Sequence, residues 1–119
     1  MSYVDGCVIA VPTANREQFK KHAEITSAIF KENGALSIVE CWGDDVPDGK
    51  VTSFPMAVKL KEDETVVFSW IIYKSKADQK RIMKKVMADP RLAKMMDPAN
   101  MPFDMSRMAW GGFKPIVEA

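Results

Sequence analysis

The run 65–73, TVVFSWIIY, limits the possible folds more than any other segment of this chain. Successive side chains of a strand point to opposite faces, and here apolar residues occupy both sets of positions. A strand of this kind has to be covered on both faces, so the run is predicted to lie in the centre of a sheet. A single layer of helices covers only one face, and the other face needs a second cover.

Four further segments have the composition of strands. They are rich in β-branched and apolar residues and are bounded by Pro, Gly or Asp-rich turns. In one of them Leu36, Ile38, Glu40 and Trp42 alternate along a single face, which places one carboxylate in an apolar row. The predicted strands outside the central run are 3–12, 35–42, 54–60 and 107–117.

Two amphipathic helices and one short helix are predicted between the strands. A capping box at Asn15 opens the first helix, and Gly34 ends it as a left-handed C-cap. Ser75 caps the second helix, and Asp89, followed by Pro, opens the third. The predicted helices are about 15–33, 75–88 and 89–96.

This order of elements is that of a ferredoxin-like α+β domain, βαββ(β)αβ, with both main helices on one face of an antiparallel sheet. The opposite face would then present more large side chains than two helices can bury. We therefore expect a homodimer in which the two sheets pack face to face. The side chains that lead to this expectation are Trp42, Phe68, Trp70, Tyr73, Trp110 and Phe113.

Length and charge exclude several classes of protein. A chain of 119 residues suits one domain, 1–119, and is too small for two. Seventeen Lys and Arg against sixteen Asp and Glu leave a net charge of +1, so neither nucleic acid nor a membrane is an expected partner. RNA-recognition modules share the strand order, but the central run has no basic residue. The first residues lack a signal-peptide pattern, which predicts a cytoplasmic protein with reduced cysteines.

His22 and Glu40 are the predicted catalytic residues. His22 is the single histidine, the side-chain type that titrates nearest neutrality and suits a general base. Glu40 would have its carboxyl pKa raised if it were buried without a partner. The alternatives are a structural histidine with satisfied hydrogen bonds, and a glutamate paired with Arg107 or Lys59 or exposed at the sheet edge.

A set of large side chains is predicted to bind a planar ligand or its acidic group. Tryptophans on strands line aromatic pockets in some proteins, although packing in a dimer is the alternative. Arg107 offers a planar guanidinium to a carboxylate, with a salt bridge to Asp104 or Glu40 as the alternative. One histidine cannot form a histidine-rich metal site, and phosphate-loop and dinucleotide motifs are absent, so no metal and no cofactor are expected. The predicted ligand-binding residues are Trp42, Trp70, Tyr73 and Arg107.

Four stretches of sequence resemble a known family over almost the whole chain. They are VECWGDDVPDGKVTSFPMAVK (39–59), ETVVFSWIIYKSK (64–76), ADPR (88–91) and MPFDMSRMAWGGF (101–113). Together they closely resemble the YbaA-like family of small, uncharacterised bacterial proteins. The resemblance implies membership of the dimeric α/β-barrel superfamily, in which two ferredoxin-like protomers join their sheets into a barrel. Relatives there include cofactor-free monooxygenases, haem-dependent enzymes and stress proteins, which suggests a pocket without specifying its ligand.

The sequence thus leads to two hypotheses of function. The first is a homodimer with a small-molecule pocket in or beside its barrel. A narrower version of this hypothesis is a cofactor-independent enzyme that uses His22 and Glu40. The alternative is a non-catalytic structural or stress-related dimer in which the same residues stabilise the fold.

Overall fold

The computed structural model describes residues 2–119, and its sheet has the strand order of a ferredoxin-like domain. The four strands are antiparallel to their neighbours and lie in the order β2-β3-β1-β4. The two long strands, β1 and β3, occupy the centre, as the doubly apolar run 65–73 predicted. The strands are β1 (Tyr3–Pro12), β2 (Ser37–Trp42), β3 (Glu64–Tyr73) and β4 (Ala109–Phe113).

Helices cover one face of the sheet. The two long helices are α1 (Arg16–Glu32) and α3 (Lys76–Met87), and the short α4 (Pro90–Met95) lies beside them. The predicted caps at Ser75 and Asp89 are present, because their side chains accept hydrogen bonds from Asp78 N–H and Arg91 N–H. Gly34 has a φ of 113°, as a left-handed C-cap requires.

The predicted capping box at Asn15 is wrong. The Asn15 side chain makes no bond to the first turn of α1. It donates instead to the Pro102 carbonyl at 3.0 Å, because a short 3-10 turn over Thr13–Asn15 directs the side chain towards the loop before β4. Asn15 therefore ties the start of α1 to a distant part of the chain.

The predicted strand 54–60 is also wrong, since this segment contains a short helix, α2 (Phe54–Ala57). Ser53 caps it by accepting from Met56 N–H, and Pro55 occupies a first-turn position where its missing N–H costs nothing. Val58 and Leu60 beyond the helix pack on Ala10 and Val66 at one end of the sheet's second face. The segment covers the sheet instead of extending it.

The last strand is shorter than the predicted 107–117. It runs from Ala109 to Phe113, and Arg107 lies before it in a 3-10 turn. The pairing of β4 with β1 is continuous, so the Gly111-Gly112 pair makes no bulge. The Phe113 ring lies over Gly6 and Gly111, in the space that larger side chains at these two positions would occupy.

The second face of the sheet, which we call the open face, stays largely uncovered beyond this end. Direct cross-strand pairs place Phe68 beside Val8, Trp70 beside Gly6, and Phe113 beside Val4 on it. Phe68 and Phe113 are exposed, and α2 covers Phe68 only in part through an edge contact from Phe54. The residues that line this apolar groove are Val4, Gly6, Cys7, Val8, Phe68, Trp70, Ile72, Ala109, Trp110, Gly111 and Phe113.

An ion-pair clamp fixes the segment that carries α2. Arg107 donates to both carboxylate oxygens of Glu64, at 2.7 and 2.5 Å, and to Asp104 at 3.2 Å. The same guanidinium donates to the Lys59 carbonyl at 3.0 Å, next to the left-handed turn at that residue. The Arg107 and Glu64 side chains are only 15% and 5% exposed. The predicted alternative in which Arg107 forms a salt bridge to Asp104 is confirmed. The second partner, Glu64, was not predicted.

No helix among residues 2–119 is long and apolar enough to cross a bilayer.

Arg107→Ala is expected to reduce the free energy of unfolding clearly, because it removes both guanidinium hydrogen bonds from Glu64 and leaves only the Lys61 N–H as a donor to this carboxylate. The matched control is Arg91→Ala, which removes an exposed arginine bonded to Glu32 and Asp89 and should cost several times less, because exposed ion pairs contribute little to stability. Urea denaturation of the two variants measures the difference. Equal losses would contradict the structural role of the clamp.

Candidate functional site

A polar row crosses the helix-covered face of the sheet. Glu40 on β2 lies directly opposite Ser69 on β3, and Ser69 lies directly opposite Cys7 on β1. Directly paired residues of antiparallel strands project from the same face, so the three side chains are neighbours. The Cys7 sulfur and the Ser69 oxygen are 3.0 Å apart.

The rows on either side of this polar row are apolar and belong to separate parts of the core. Ile9 and Val67 lie in the row on one side, in a cluster with Phe19 of α1. Ile71 and Ile38 lie on the other side, against a cluster that contains Tyr73, Ile82 and Val86. The polar row therefore lies where the two halves of the helix-side core meet.

One end of the row opens into a cleft of about 380 Å³ between α1 and the edge strand β2. Phe19, Ala23 and Trp42 form its apolar wall, and the Phe19 and Trp42 ring centroids are 6.4 Å apart. The Arg16 guanidinium lies over the Trp42 ring, 5.7 Å from its centroid. The residues that line the cleft are Arg16, Phe19, Lys20, Ala23, Glu24, Ser27, Glu40 and Trp42.

Glu40 has the most unusual electrostatic environment in this cleft. The residue as a whole is exposed, but nearby protein atoms remove part of the hydration of its carboxyl group. This desolvation raises the carboxyl pKa to about 7, and the Ser69 hydroxyl offsets the rise in part. Near neutral pH, Glu40 therefore populates both its acid and its carboxylate form. A group that acts as both a proton donor and a proton acceptor needs both forms.

Cys7, at the inner end of the row, is held as a thiol. Burial raises its pKa, and the nearby carboxyl groups of Glu40 and Asp5 raise it further. The Ser69 hydroxyl acts in the opposite direction. Cys7 and Cys41 are both free cysteines, and Cys7 behaves here as a weak hydrogen-bond partner within the sheet.

His22 does not join Glu40 in the cleft. Its Nε2 lies 2.9 Å from the Met95 carbonyl, which can only accept, so this ring nitrogen donates. The ring also makes an edge contact with Phe103, at a centroid distance of 6.3 Å. This is the geometry of the structural alternative, a histidine that ties α1 to α4. The two predicted catalytic residues, His22 and Glu40, therefore do not line the same cleft.

The four predicted ligand-binding residues lie in different places. Trp42 lines the cleft, whereas Trp70 belongs to the groove of the open face. Tyr73 is fully buried and donates to Asp5 at 2.9 Å, which together with burial raises its pKa far above the usual range. Arg107 is occupied by the clamp, and neither it nor Lys59 pairs with Glu40 in the described contacts. The structure brings together only Trp42 and Glu40 of the predicted site residues.

Two cations of the cleft, and Ser69 in the sheet behind it, were not among the site residues predicted from the sequence. Arg16 and Lys20 supply the positive charge that Arg107 was expected to supply. Ser69 lies in the sheet behind the cleft and is buried, with 4% exposure. A signal for Ser69 exists, because it is the one small polar residue among the inward positions 67, 69, 71 and 73 of the central run.

Within residues 2–119, no three His, Cys, Asp or Glu side chains cluster so that they could hold a metal ion. The polar groups of the cleft itself are two cations, two carboxyl groups and a hydroxyl. Such a set is suited to proton transfer and to binding an anionic or hydroxylated organic ligand.

The sheet order and helix-side cleft define the class of protein as a ferredoxin-like α+β domain, and similar solved structures agree. A NIPSNAP domain protein from Burkholderia xenovorans matches with a TM-score of 0.60 and 16% identity, covering 95% of this chain and 93% of that one. A dimeric ferredoxin-like protein from an uncultured marine organism has a TM-score of 0.61 and 12% identity over 100% of both chains. SnoaB from Streptomyces nogalater, a cofactor-independent oxygenase, has a TM-score of 0.57 and 12% identity, covering 98% and 95%. Identities this low establish the fold alone.

Sequence comparison then identifies the family. Residues 2–105 match the model of DUF1428, a family described as proteins of unknown function. YbaA of Escherichia coli strain K12 is 51% identical over 118 residues, which cover 99% of both chains. The chain belongs to the DUF1428 family, and the resemblance read from the four sequence stretches is confirmed.

Replacing Glu40 with Gln is expected to stabilise the protein at pH 8 and to have little effect at pH 4. The folded state keeps the Glu40 proton up to about pH 7, whereas the unfolded chain releases it near its ordinary value of 4.5. Stability from this proton is present at low pH and is lost as pH rises through 7. Because the residue is exposed, solvent screening limits the gain to about 1 kcal/mol.

Chemical denaturation at the two pH values measures this effect. Glu62→Gln, in the exposed turn before β3, is the control and should show no such difference. A Glu40→Gln variant that is less stable than the parent at pH 8 would contradict the desolvation of Glu40.

Proposed function

We propose that the protein is a homodimer that binds a planar, weakly acidic organic molecule in the α1–β2 cleft and transfers a proton to or from it through Glu40. The observation that carries this proposal is the position of the Glu40 carboxyl group at the wall of a cleft of about 380 Å³. Its pKa there is about 7. A carboxyl group that is half ionised at neutral pH is suited to both directions of proton transfer.

The other residues of the cleft have complementary roles in this proposal. Phe19 and Trp42 offer ring surfaces to a planar ligand. Arg16 and Lys20 offer positive charge to the anion that remains when the ligand gives its proton to Glu40. Phenols, enols and 1,3-dicarbonyl compounds combine a planar skeleton with a proton of suitable acidity. The step needs only the ligand and the carboxylate: an O–H or C–H bond breaks and the Glu40 O–H bond forms.

The open face supports self-association. Its groove is lined almost entirely by apolar side chains, and two of its large residues, Phe68 and Phe113, are exposed in the single chain. An exposed apolar surface of this kind marks an interface. A similar fold belongs to a protein described as dimeric. We infer that a second copy covers the open face, as sheet-to-sheet packing requires, while the cleft stays on the helix side of each protomer.

A non-catalytic dimer is the alternative, and the apolar open face favours association whether or not the cleft binds anything. In that case Glu40 would only influence stability. Cytoplasmic location and the absence of nucleic-acid partners stay predictions from the sequence.

Para-nitrophenol is a suitable first probe of the cleft, because it is planar and loses its proton near neutral pH. We expect backbone amide NMR shifts on titration to concentrate at Trp42, Ser27 and Glu40. Glu40→Gln should weaken binding about tenfold at pH 7, which corresponds to the loss of one charge-assisted hydrogen bond. The control Glu62→Gln should bind as the parent does. Shifts confined to the open face would contradict the proposed site.

Phe113→Asp is expected to convert the dimer to a monomer, because it places a charge on the open face. Its matched control is Met87→Asp at the end of α3, outside the groove of the open face. Met87 is as exposed as Phe113, at 61% each. Sedimentation velocity at micromolar concentration should show a dimer for the parent and for Met87→Asp. A monomeric parent would contradict the proposed assembly.

A further inference from the structure

We propose that Ser69 is a positioning residue for Glu40: supported from behind by the Cys7 thiol, its hydroxyl donates to the Glu40 carboxylate and keeps that group directed into the cleft. This inference rests on the proposed function of Glu40 and adds two residues from the interior of the sheet to that site.

The backbone places the three groups in line. Glu40, Ser69 and Cys7 occupy directly paired positions on β2, β3 and β1, so hydrogen-bonded strands on both sides hold Ser69. Ser69 is buried, and the strand positions beside it on the same face are Val67 and Ile71. A buried hydroxyl in apolar surroundings has to find its partners within reach. The Cys7 sulfur lies 3.0 Å from its oxygen, and on the other side Glu40 is its direct cross-strand neighbour.

The chemistry of the donors gives the row a direction. A hydroxyl has one proton to donate and two lone pairs to accept with, while a carboxylate can only accept. Cys7 keeps its proton, because burial and the neighbouring carboxyl groups raise its pKa. The thiol therefore donates to the Ser69 oxygen, and the Ser69 proton is directed to Glu40. This order favours the carboxylate form and opposes the desolvation that favours the acid.

The charged and titratable groups around Glu40 come from two elements, α1 and β1. Helix α1 contributes Arg16, Lys20 and Glu24 at the wall of the cleft. Strand β1 contributes Cys7, and Asp5 acts on that thiol from the next inward position of the strand. The Ser69 side chain is uncharged at every accessible pH, so its removal changes one hydrogen bond and leaves the charge of the site unaltered.

The experiment is a pH titration of the Glu40 carboxyl carbon by NMR in the full-length protein without any ligand. Ser69→Ala should raise the midpoint by about one pH unit, a tenfold change in acid dissociation, because the donor to the carboxylate is lost. Cys7→Ala should raise it in the same direction by less, and Cys7→Ser, which keeps a donor, should leave it near the parent value. Ser69→Thr restores a hydroxyl and should restore the midpoint.

Ser27→Ala is the matched control, since Ser27 lines the same cleft from α1. It should leave the Glu40 midpoint unchanged. A Ser69→Ala protein that is folded by its amide NMR spectrum and keeps the parent midpoint would overturn the proposal, as would an equal shift in Ser27→Ala.

The titration is independent of ligand binding, so two failures can be told apart. If Ser69→Ala moves the midpoint while para-nitrophenol does not bind the parent, the positioning role stands and the proposed function fails. If the probe binds at the cleft and the midpoint does not move, Ser69 has no positioning role.

Discussion

The register of β3 against its two neighbours decides most of what this molecule can do. Glu40 and Cys7 meet only through Ser69, because β3 pairs with β2 on one side and with β1 on the other. A shift of one residue in either pairing would exchange the two faces of a strand. Phe68 and Trp70 would then enter the helix-side core, and Ser69 would face outwards. The apolar clusters on both sides of the polar row oppose such a shift.

The two faces of the sheet have separate tasks as a result. The helix side holds the core and the cleft, in which polar groups are few and closely placed. The open face holds large apolar side chains without charged neighbours in its groove. Segment 43–60 limits that face, because Val58 and Leu60 already cover its end at Ala10 and Val66. The remaining area is the part suited to a second copy, and association there leaves the cleft accessible.

Two glutamates show how the fold sets the behaviour of one residue type. Glu64 receives two hydrogen bonds from Arg107, and this partner lowers its pKa. Glu40 has only the Ser69 hydroxyl to offset its desolvation, and its pKa is raised to about 7. The lowered pKa of the first carboxylate favours its charged form, which binds Arg107 and stabilises a loop. The second changes its charge near neutral pH, which has a cost in stability above that pH and is typical of functional sites.

The sequence by itself determined the order of elements, the central place of β3 and the excess of apolar sheet surface. These features follow from local patterns, namely alternation along strands, helical periodicity and caps such as Ser75 and Gly34. It also singled out Glu40, because a carboxylate in an apolar row is visible in one strand alone. Segment 54–60 misled the prediction because its apolar composition resembles a strand, while Ser53 and Pro55 favour a helix start.

Only the tertiary structure decided which distant residues became partners. His22 bonds to the Met95 carbonyl, and Arg107 pairs with Glu64. Arg16 lies over the Trp42 ring. These contacts join residues from different elements, so they depend on strand pairing and helix packing that no local pattern encodes. The line from Glu40 through Ser69 to Cys7 has the same origin. Each of its members belongs to a different strand, and they become neighbours only when the sheet has formed in its register.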